Sequence, residues 1–314
     1  MATGVARVQG RLTRAADGRG GGGPTASSSH VHARSTEAAA FLARTLFLGV
    51  VVFLLYGPLV VLAIFSFNDS IVIALPFEGF TTRWYGDALT NPVLLEGLRN
   101  SLAVALLVTP ISLILGTLAA FAVTRFRYRW RGGVAGLVGA PLVVPWLLVG
   151  VGALMFFNRL HVPLSLRTIG VMHITVAFPL VAAIVGARLV RFDHRIEEAA
   201  LDLGAQPREV LRYIVLPHVA PALAASAIFA FSYSFNNFVI SFFTGGFELT
   251  FPIWVFSTLR HAQNVPIVNA ISTLVSVVQV VVVLLAWRLS VGSKRRGGGV
   301  DADAVAGVLA GQVR

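Results

Sequence analysis

The sequence predicts an all-α, polytopic membrane protein with six transmembrane helices. Three observations carry this. Of its 314 residues 56% are hydrophobic and only 12% are charged, about half the charged share of a soluble protein. Six apolar stretches follow one another, each near the ~20 residues that cross a bilayer. The cations gather in alternate connections between those stretches, as an oriented membrane protein requires.

Residues 1–40 carry Arg7, Arg11, Arg14 and Arg19, then Gly20 to Gly23, Pro24 and Ser27 to Ser29. Such a composition cannot bury enough apolar surface to order itself. The expectation is a disordered cytoplasmic tail. An Arg-rich, acid-poor start also resembles an organellar transit peptide. The membrane domain is expected at 41–291 and a cytoplasmic tail at 292–314. The six stretches run over 45–67, 102–123, 133–157, 168–190, 219–244 and 266–289, with no internal repeat. The fifth is polar in its middle. Trp130 and Trp287 lie at span ends, where belt residues belong.

Orientation follows from the loops. Arg44 follows the basic N-terminal tail. The second connection holds Arg125, Arg127, Arg129 and Arg131, and the fourth holds Arg191, Arg195, Arg208 and Arg212. Lys294-Arg295-Arg296 opens the C-terminal tail. The opposite connections hold fewer cations: Arg83 and Arg99, Arg159 and Arg167, and Arg260. This asymmetry puts both termini and the 191–218 loop in the cytoplasm. A net charge of +11 is thus a membrane-orientation signal rather than a nucleic-acid footprint.

Several chemistries are excluded. The chain has no cysteine, hence no disulfide, iron–sulfur cluster or thiolate zinc site. His30, His32, His161 and His261 form no metal-binding pattern. The six stretches contain no Asp, Glu, Lys or Arg apart from Arg188 and Arg288. An ion-coupled secondary transporter would want a carboxylate at mid-membrane. A membrane enzyme would want an acid, a base and a nucleophile there. No Gly-x-x-x-x-Gly-Lys-Ser/Thr pattern occurs either. No cofactor is expected, and any ATP hydrolysis belongs to a partner.

Span three carries Pro141 and Pro145 one helical turn apart, and each removes a backbone hydrogen bond. Two readings stand equal: a bendable helix lining a pathway, or helix shape alone. Gly132, Gly136, Gly139 and Ala140 would allow a close neighbour. Span five holds Ser232, Tyr233, Ser234, Asn236, Asn237 and Ser241, with positions 234, 237 and 241 on one helical face. Buried amides need partners in a bilayer. They serve as inter-helix glue or line a solute pathway, and the density of the cluster favours the pathway. His173 reads as hydrogen-bonded structure.

The loop 191–218 is charged and amphipathic. Ile196, Ala199, Ala200 and Leu203 recur at helical spacing, Gly204 breaks the pattern, and Pro207 opens a second short helix. That helix carries Val210, Leu211, Ile214 and Val215 and is expected to end at Leu216-Pro217. Glu198-Ala199-Ala200, three residues, Gly204, nine residues, Ile214-x-Leu216-Pro217 resembles the coupling loop in the permease subunits of bacterial ABC importers.

Arg83-Trp84-Tyr85, Asn100-Ser101-Leu102, Pro141 to Pro145, Ala187-Arg188-Leu189, Phe238-Val239-Ile240 and 250–270, with Arg260, Pro266 and Asn269-Ala270, extend the likeness over about 45–290. Within that family the pattern is similar to the second permease subunit of spermidine/putrescine importers. The resemblance implies the type I importer permease fold in a bacterial cytoplasmic membrane. It also implies a second permease, ABC ATPase subunits and an extracytoplasmic solute-binding protein as partners. Glu198, Ala199, Ala200, Gly204, Ile214, Leu216 and Pro217 would contact the ATPase.

Tyr233, Ser234, Asn236, Asn237, Ser241, Pro145 and Trp146 are the candidate pathway residues. Two departures from the polyamine pattern concern the solute. Asn236-Asn237 stands where those permeases often have an acidic pair, and Pro145-Trp146 where they often have Pro followed by an acid.

Overall fold

The computed structural model describes residues 27–71, 76–126, 128–261 and 264–297. The expectations for residues 1–26 and 298–314, for Arg127 and for the side chain of Trp287 fall outside this. The chain divides into two compact units, with the boundary between Val60 and Val61. In the first, the described chain is one helix, α1 (Ser27–Phe65), whose last residues belong to the second. It begins ahead of the 41 expected for the membrane domain.

The second unit holds α2 (Arg83–Thr90), α3 (Pro92–Arg125), α4 (Arg131–Val143), α5 (Trp146–Arg159) and α6 (Leu166–Val190). The rest are α7 (Arg195–Asp202), α8 (Pro207–Val210), α9 (Leu216–Asn236), α10 (Val239–Thr244), α11 (Phe251–Arg260) and α12 (Val265–Gly297). Among the described residues the only β feature is an isolated antiparallel bridge, Asn68 with Phe80.

Among the described residues five segments are long and apolar enough to cross a bilayer: Phe41–Phe65, Pro92–Arg125, Leu166–Val190, Pro207–Asn236 and Val265–Leu285. The third expected span is the exception. It is the pair α4 and α5, bent by 101°. α4 runs through Pro141, and the break comes at Val144-Pro145, with Pro145 as the cap before α5. The residue before a proline is driven to extended backbone, and Val144 has ψ of 129°. A Cβ added at Gly132, Gly136 or Gly139 would meet no described atom within 4 Å beyond its own helix, so the close neighbour expected there is not found among the described residues.

The fifth span is also broken. α9 stops at Asn236, Asn237 is extended with ψ of 104°, and α10 follows. The single helical face expected for 234, 237 and 241 is therefore interrupted. The amide of Asn237 is the cause: its Oδ1 accepts from Ile240 N at 3.0 Å. A short polar side chain here offers the backbone an alternative to the helical ladder.

The core is built on α3, α6 and α9. Val104, Val108 and Ala120 of α3 pack with Ala177, Val181, Val185 and Leu189 of α6, all buried. Gly116 lets the two backbones meet, since a Cβ there would lie 2.5 Å from Val181 Cβ and 2.6 Å from the Phe178 carbonyl oxygen. Lipid offers no hydrophobic drive between helices, so small residues and close packing supply the affinity.

A second cluster, with Trp84, Leu94, Ala105, Phe235, Phe251 and Trp254, gathers around the N-terminal part of α3. There Trp84 Nε1 donates to the Asn68 carbonyl at 2.8 Å. Asn100 Nδ2 donates to the Leu249 carbonyl at 2.8 Å, and Phe251 N to Ser101 Oγ at 2.9 Å. Trp84, Asn100 and Ser101 therefore fasten connecting segments to the spans.

Candidate functional site

Two sites follow, at the C-terminal end of α3 and at the break in span five. The first is the 191–218 hairpin. Asp193 Oδ1 accepts from Arg195 N at 3.0 Å, and Glu197 and Glu198 fill the first turn of α7, where carboxylates suit the helix dipole. The helix closes through Leu203 N to Ala199 O, Gly204 N to Leu201 O and Ala205 N to Ala200 O. Gly204 adopts φ of +89°, the left-handed turn expected of it. Gln206 N then donates to Glu209 Oε2 at 2.8 Å, and Pro207 takes the first position of α8.

The expectation that Leu216-Pro217 would end the second helix is corrected. α8 passes through a π-helical turn, Leu211–Val215, straight into α9. Pro217 has no N–H for the helical ladder. The wider turn, with Leu216 N bonded to Leu211 O, accommodates it one residue earlier.

The expected coupling residues divide by direction. Ala200 and Ile214 pack against the core, and so does Ala205. Glu198, Ala199, Gly204, Leu216 and Pro217 are exposed. Beside them Ile196 is 51% exposed and Leu203 90%. The hairpin thus presents an outward apolar face edged by a carboxylate.

One element of this site was not legible beforehand. Glu197 turns inward, and its Oε1 lies 2.5 Å from Nη1 of Arg125, the last residue of α3. The same nitrogen reaches His194 Nδ1 at 2.8 Å. The guanidinium also stands 5.3 Å from the Phe192 ring centroid. The sequence marks Arg125 only as one of several inside cations.

The second site lies at the break in span five. His173 of α6 is buried and uses both ring nitrogens: Nδ1 to Ser234 Oγ at 3.0 Å and Nε2 to Ser241 Oγ at 3.2 Å. Ser241 gives its one hydroxyl proton to the Asn237 carbonyl at 2.6 Å. It must then accept from Nε2–H, which leaves Nδ1 to accept from Ser234. One imidazole in one tautomer staples α9 to α10 across their break.

Ser234, Asn237 and Ser241 are 3%, 6% and 1% exposed, so they form an inner layer. Asn236, Pro145 and Trp146 are open. Tyr233 lies between them, edge-on to Trp146 with ring centroids 5.8 Å apart and to His173 at 6.1 Å. The structure thus brings Trp146 of the broken third span to the broken fifth.

The chain resembles known proteins in sequence and in fold. The sequence of the Escherichia coli K12 putrescine transport system permease protein PotI is 37% identical over 243 residues, covering 75% of this chain and 86% of that protein. The spermidine/putrescine transport system permease protein PotC of Shigella flexneri is 34% identical, covering 79% of this chain and 93% of that one. Among solved structures, a chain of a bacterial ABC transporter that imports the acidic polysaccharide alginate superposes with a TM-score of 0.60. It does so at 16% identity, covering 81% of this chain and 96% of that one. A chain of an amino acid ABC transporter superposes at 0.52 and 18% identity, covering 67% of this chain and 98% of that one. The family model for the binding-protein-dependent transport system inner membrane component matches residues 112–291, which include both broken spans and the whole hairpin. The chain belongs to that family, as a multi-pass permease subunit of an ABC importer.

Proposed function

We propose that this permease imports a polyamine of the putrescine and spermidine class, or a related small polar solute, across a bacterial inner membrane. ATP is hydrolysed on separate ABC ATPase subunits. A second permease completes the pathway, an extracytoplasmic binding protein delivers the solute, and both termini lie in the cytoplasm. The relatives named for putrescine and spermidine transport support the solute class.

The single observation that carries the mechanism is the outward face of the hairpin. Ile196, Ala199 and Leu203 are apolar and open on the hairpin that carries Arg191, Arg195, Arg208 and Arg212. An apolar face of this kind on a short rigid helix suits a groove in a partner. ATPase closure pushes on it, and alternating access follows.

The pathway is assigned to Asn236, Trp146 and Tyr233, backed by Ser234, Asn237 and Ser241. Neutral amides donate and accept hydrogen bonds, and the two aromatic rings can receive an amine by cation–π contact, worth about 0.5–2 kcal/mol. They do so without the full counter-charges that a carboxylate pair would provide.

The test is co-purification. The tagged permease is isolated from membranes of its own host, and an ABC ATPase is sought by mass spectrometry. The ATPase should accompany the native chain and be lost from Leu203→Glu, an exposed change that leaves the permease folded. Recovery of the ATPase by neither protein, or equally by both, contradicts the docking role.

A further inference from the structure

We infer that the Arg125–Glu197 pair is the joint through which the hairpin drives α3, which makes both of them positioning residues for transport. The inference rests on the proposed function, because it supposes that a partner moves the hairpin.

The argument starts from connectivity. The hairpin is covalently continuous with α6 on one side and with α9 on the other. It has no chain connection to α3. Yet α3 is a long helix, with 34 residues, and its side chains pack along both α6 and α9. Any displacement of α7 reaches α6 and α9 through backbone. It reaches the end of α3 through side chains.

Those side chains are of two kinds, apolar and polar. A cleft of about 360 Å³ lies between α3 and the hairpin, bordered by Phe121, Arg125, Leu201, Pro207, Val210 and Val215 among others. Val210 and Val215 of the hairpin pack in the same buried cluster as Ala120 of α3, but apolar contact is non-directional and sets no fixed geometry across the cleft. The polar contacts of Arg125 set it. Its guanidinium holds Glu197 at 2.5 Å and His194 at 2.8 Å and lies over Phe192. The Arg125 and Glu197 side chains are 12% and 21% exposed, so water screens the pair far less than a surface ion pair.

The root of Arg125 is fixed as well. Arg131 Nε donates to the Val123 carbonyl at 2.6 Å, closing the C-terminal end of α3. Phe192 in turn packs edge-on against His218 at the start of α9, with ring centroids 4.7 Å apart. Arg125 thus touches α7 and its lead-in at three residues, Glu197, His194 and Phe192. Neighbouring Glu197 and Glu198 have opposite tasks: one is held inside, the other is presented outside.

The chain has no native cysteine, which makes the test clean. Spin labels are placed on Phe126→Cys and Asp202→Cys, both exposed, and the inter-label distance is measured in the purified permease. The same variants are assembled with the ATPase, second permease and binding protein, and putrescine uptake is measured per ATP hydrolysed. Arg125→Gln and Glu197→Gln should each broaden the distance distribution. Each should lower uptake per ATP about tenfold, within the usual range for coupling between sites.

The charge-swapped double variant, Arg125→Glu with Glu197→Arg, should narrow the distribution again and restore most of the coupling. A merely structural role would reduce the amount of complex and leave the ratio of uptake to hydrolysis unchanged. The inference is overturned if both single variants keep the native distance and ratio, or if the swap does no better than either single change. Failure of the native complex to take up putrescine on ATP would count against the proposed function instead. The label distances in the permease alone would still judge the joint.

Discussion

Gly116→Ala should loosen the centre of the molecule although it adds one methyl group. The added Cβ would sit 2.5 Å from Val181 Cβ, 2.7 Å from Val181 Cγ1 and 2.6 Å from the Phe178 carbonyl oxygen. Carbon atoms rest at about 3.5–4.0 Å. Neither neighbour can turn aside. A Cβ and a carbonyl oxygen move only with their backbone, and valine in a helix is held to one main rotamer. α3 and α6 must therefore separate by roughly 1 Å or more to restore that contact distance.

Overpacking of this kind costs about 1–3 kcal/mol. The shift would also strain His173, which bonds α9 and α10 from α6. Gly186→Ala at the same interface is the control. Its Cβ would meet Thr124 Cγ2 at 3.5 Å, ordinary contact. Thermal unfolding of both variants in detergent should show Gly116→Ala clearly destabilised and Gly186→Ala close to the native chain. Equal stability of the two variants would refute the packing argument.

Two further outcomes are expected. Gly204→Val should insert and assemble poorly with the ATPase. The position has open space around it but φ of +89°, and left-handed backbone costs an L-residue about 1–2 kcal/mol, more for a β-branched one. Gly204→Asn, which tolerates that region, should retain most assembly, and pull-down yields that do not separate Val from Asn would oppose this. In the proposed pathway, Asn236→Leu should slow putrescine uptake with little loss of stability, because the residue is exposed and its amide donates to the Ser232 carbonyl of its own helix. Asn237→Leu should lower both, because its Oδ1 caps Ile240 N. Paired uptake and melting measurements check this, and unchanged uptake in Asn236→Leu would remove Asn236 from the pathway.

Much of this architecture is legible in the sequence because hydropathy dictates it. A bilayer demands long apolar helices, and five of the six stretches find them, the third being the bent pair α4 and α5. The hairpin is legible too, since Gly204 and Pro207 have few alternative uses. What escaped has a common physical cause: a local signal whose outcome depends on a distant partner or a balance of hydrogen bonds. Pro217 reads as a terminator, and the chain instead absorbs it with a π turn. Asn237 reads as one more residue on a helical face, but its amide wins the Ile240 N–H and interrupts the helix. Pro145 announces a break but not its 101° angle. Arg125 reads as an orientation charge, and nothing nearby in sequence says that Glu197 will fold against it. His173 reads as a bonded core histidine, and it is one.

The central claim is that ATP hydrolysis on a partner moves solute through this chain. It is tested most directly in proteoliposomes holding the whole complex, with binding protein and labelled putrescine outside and ATP sealed within. Uptake should require the enclosed ATP, stop when the outward-facing Glu198 is changed to Lys, and ignore imposed sodium or proton gradients. Uptake driven by an ion gradient without ATP, or undiminished in Glu198→Lys, would contradict the account.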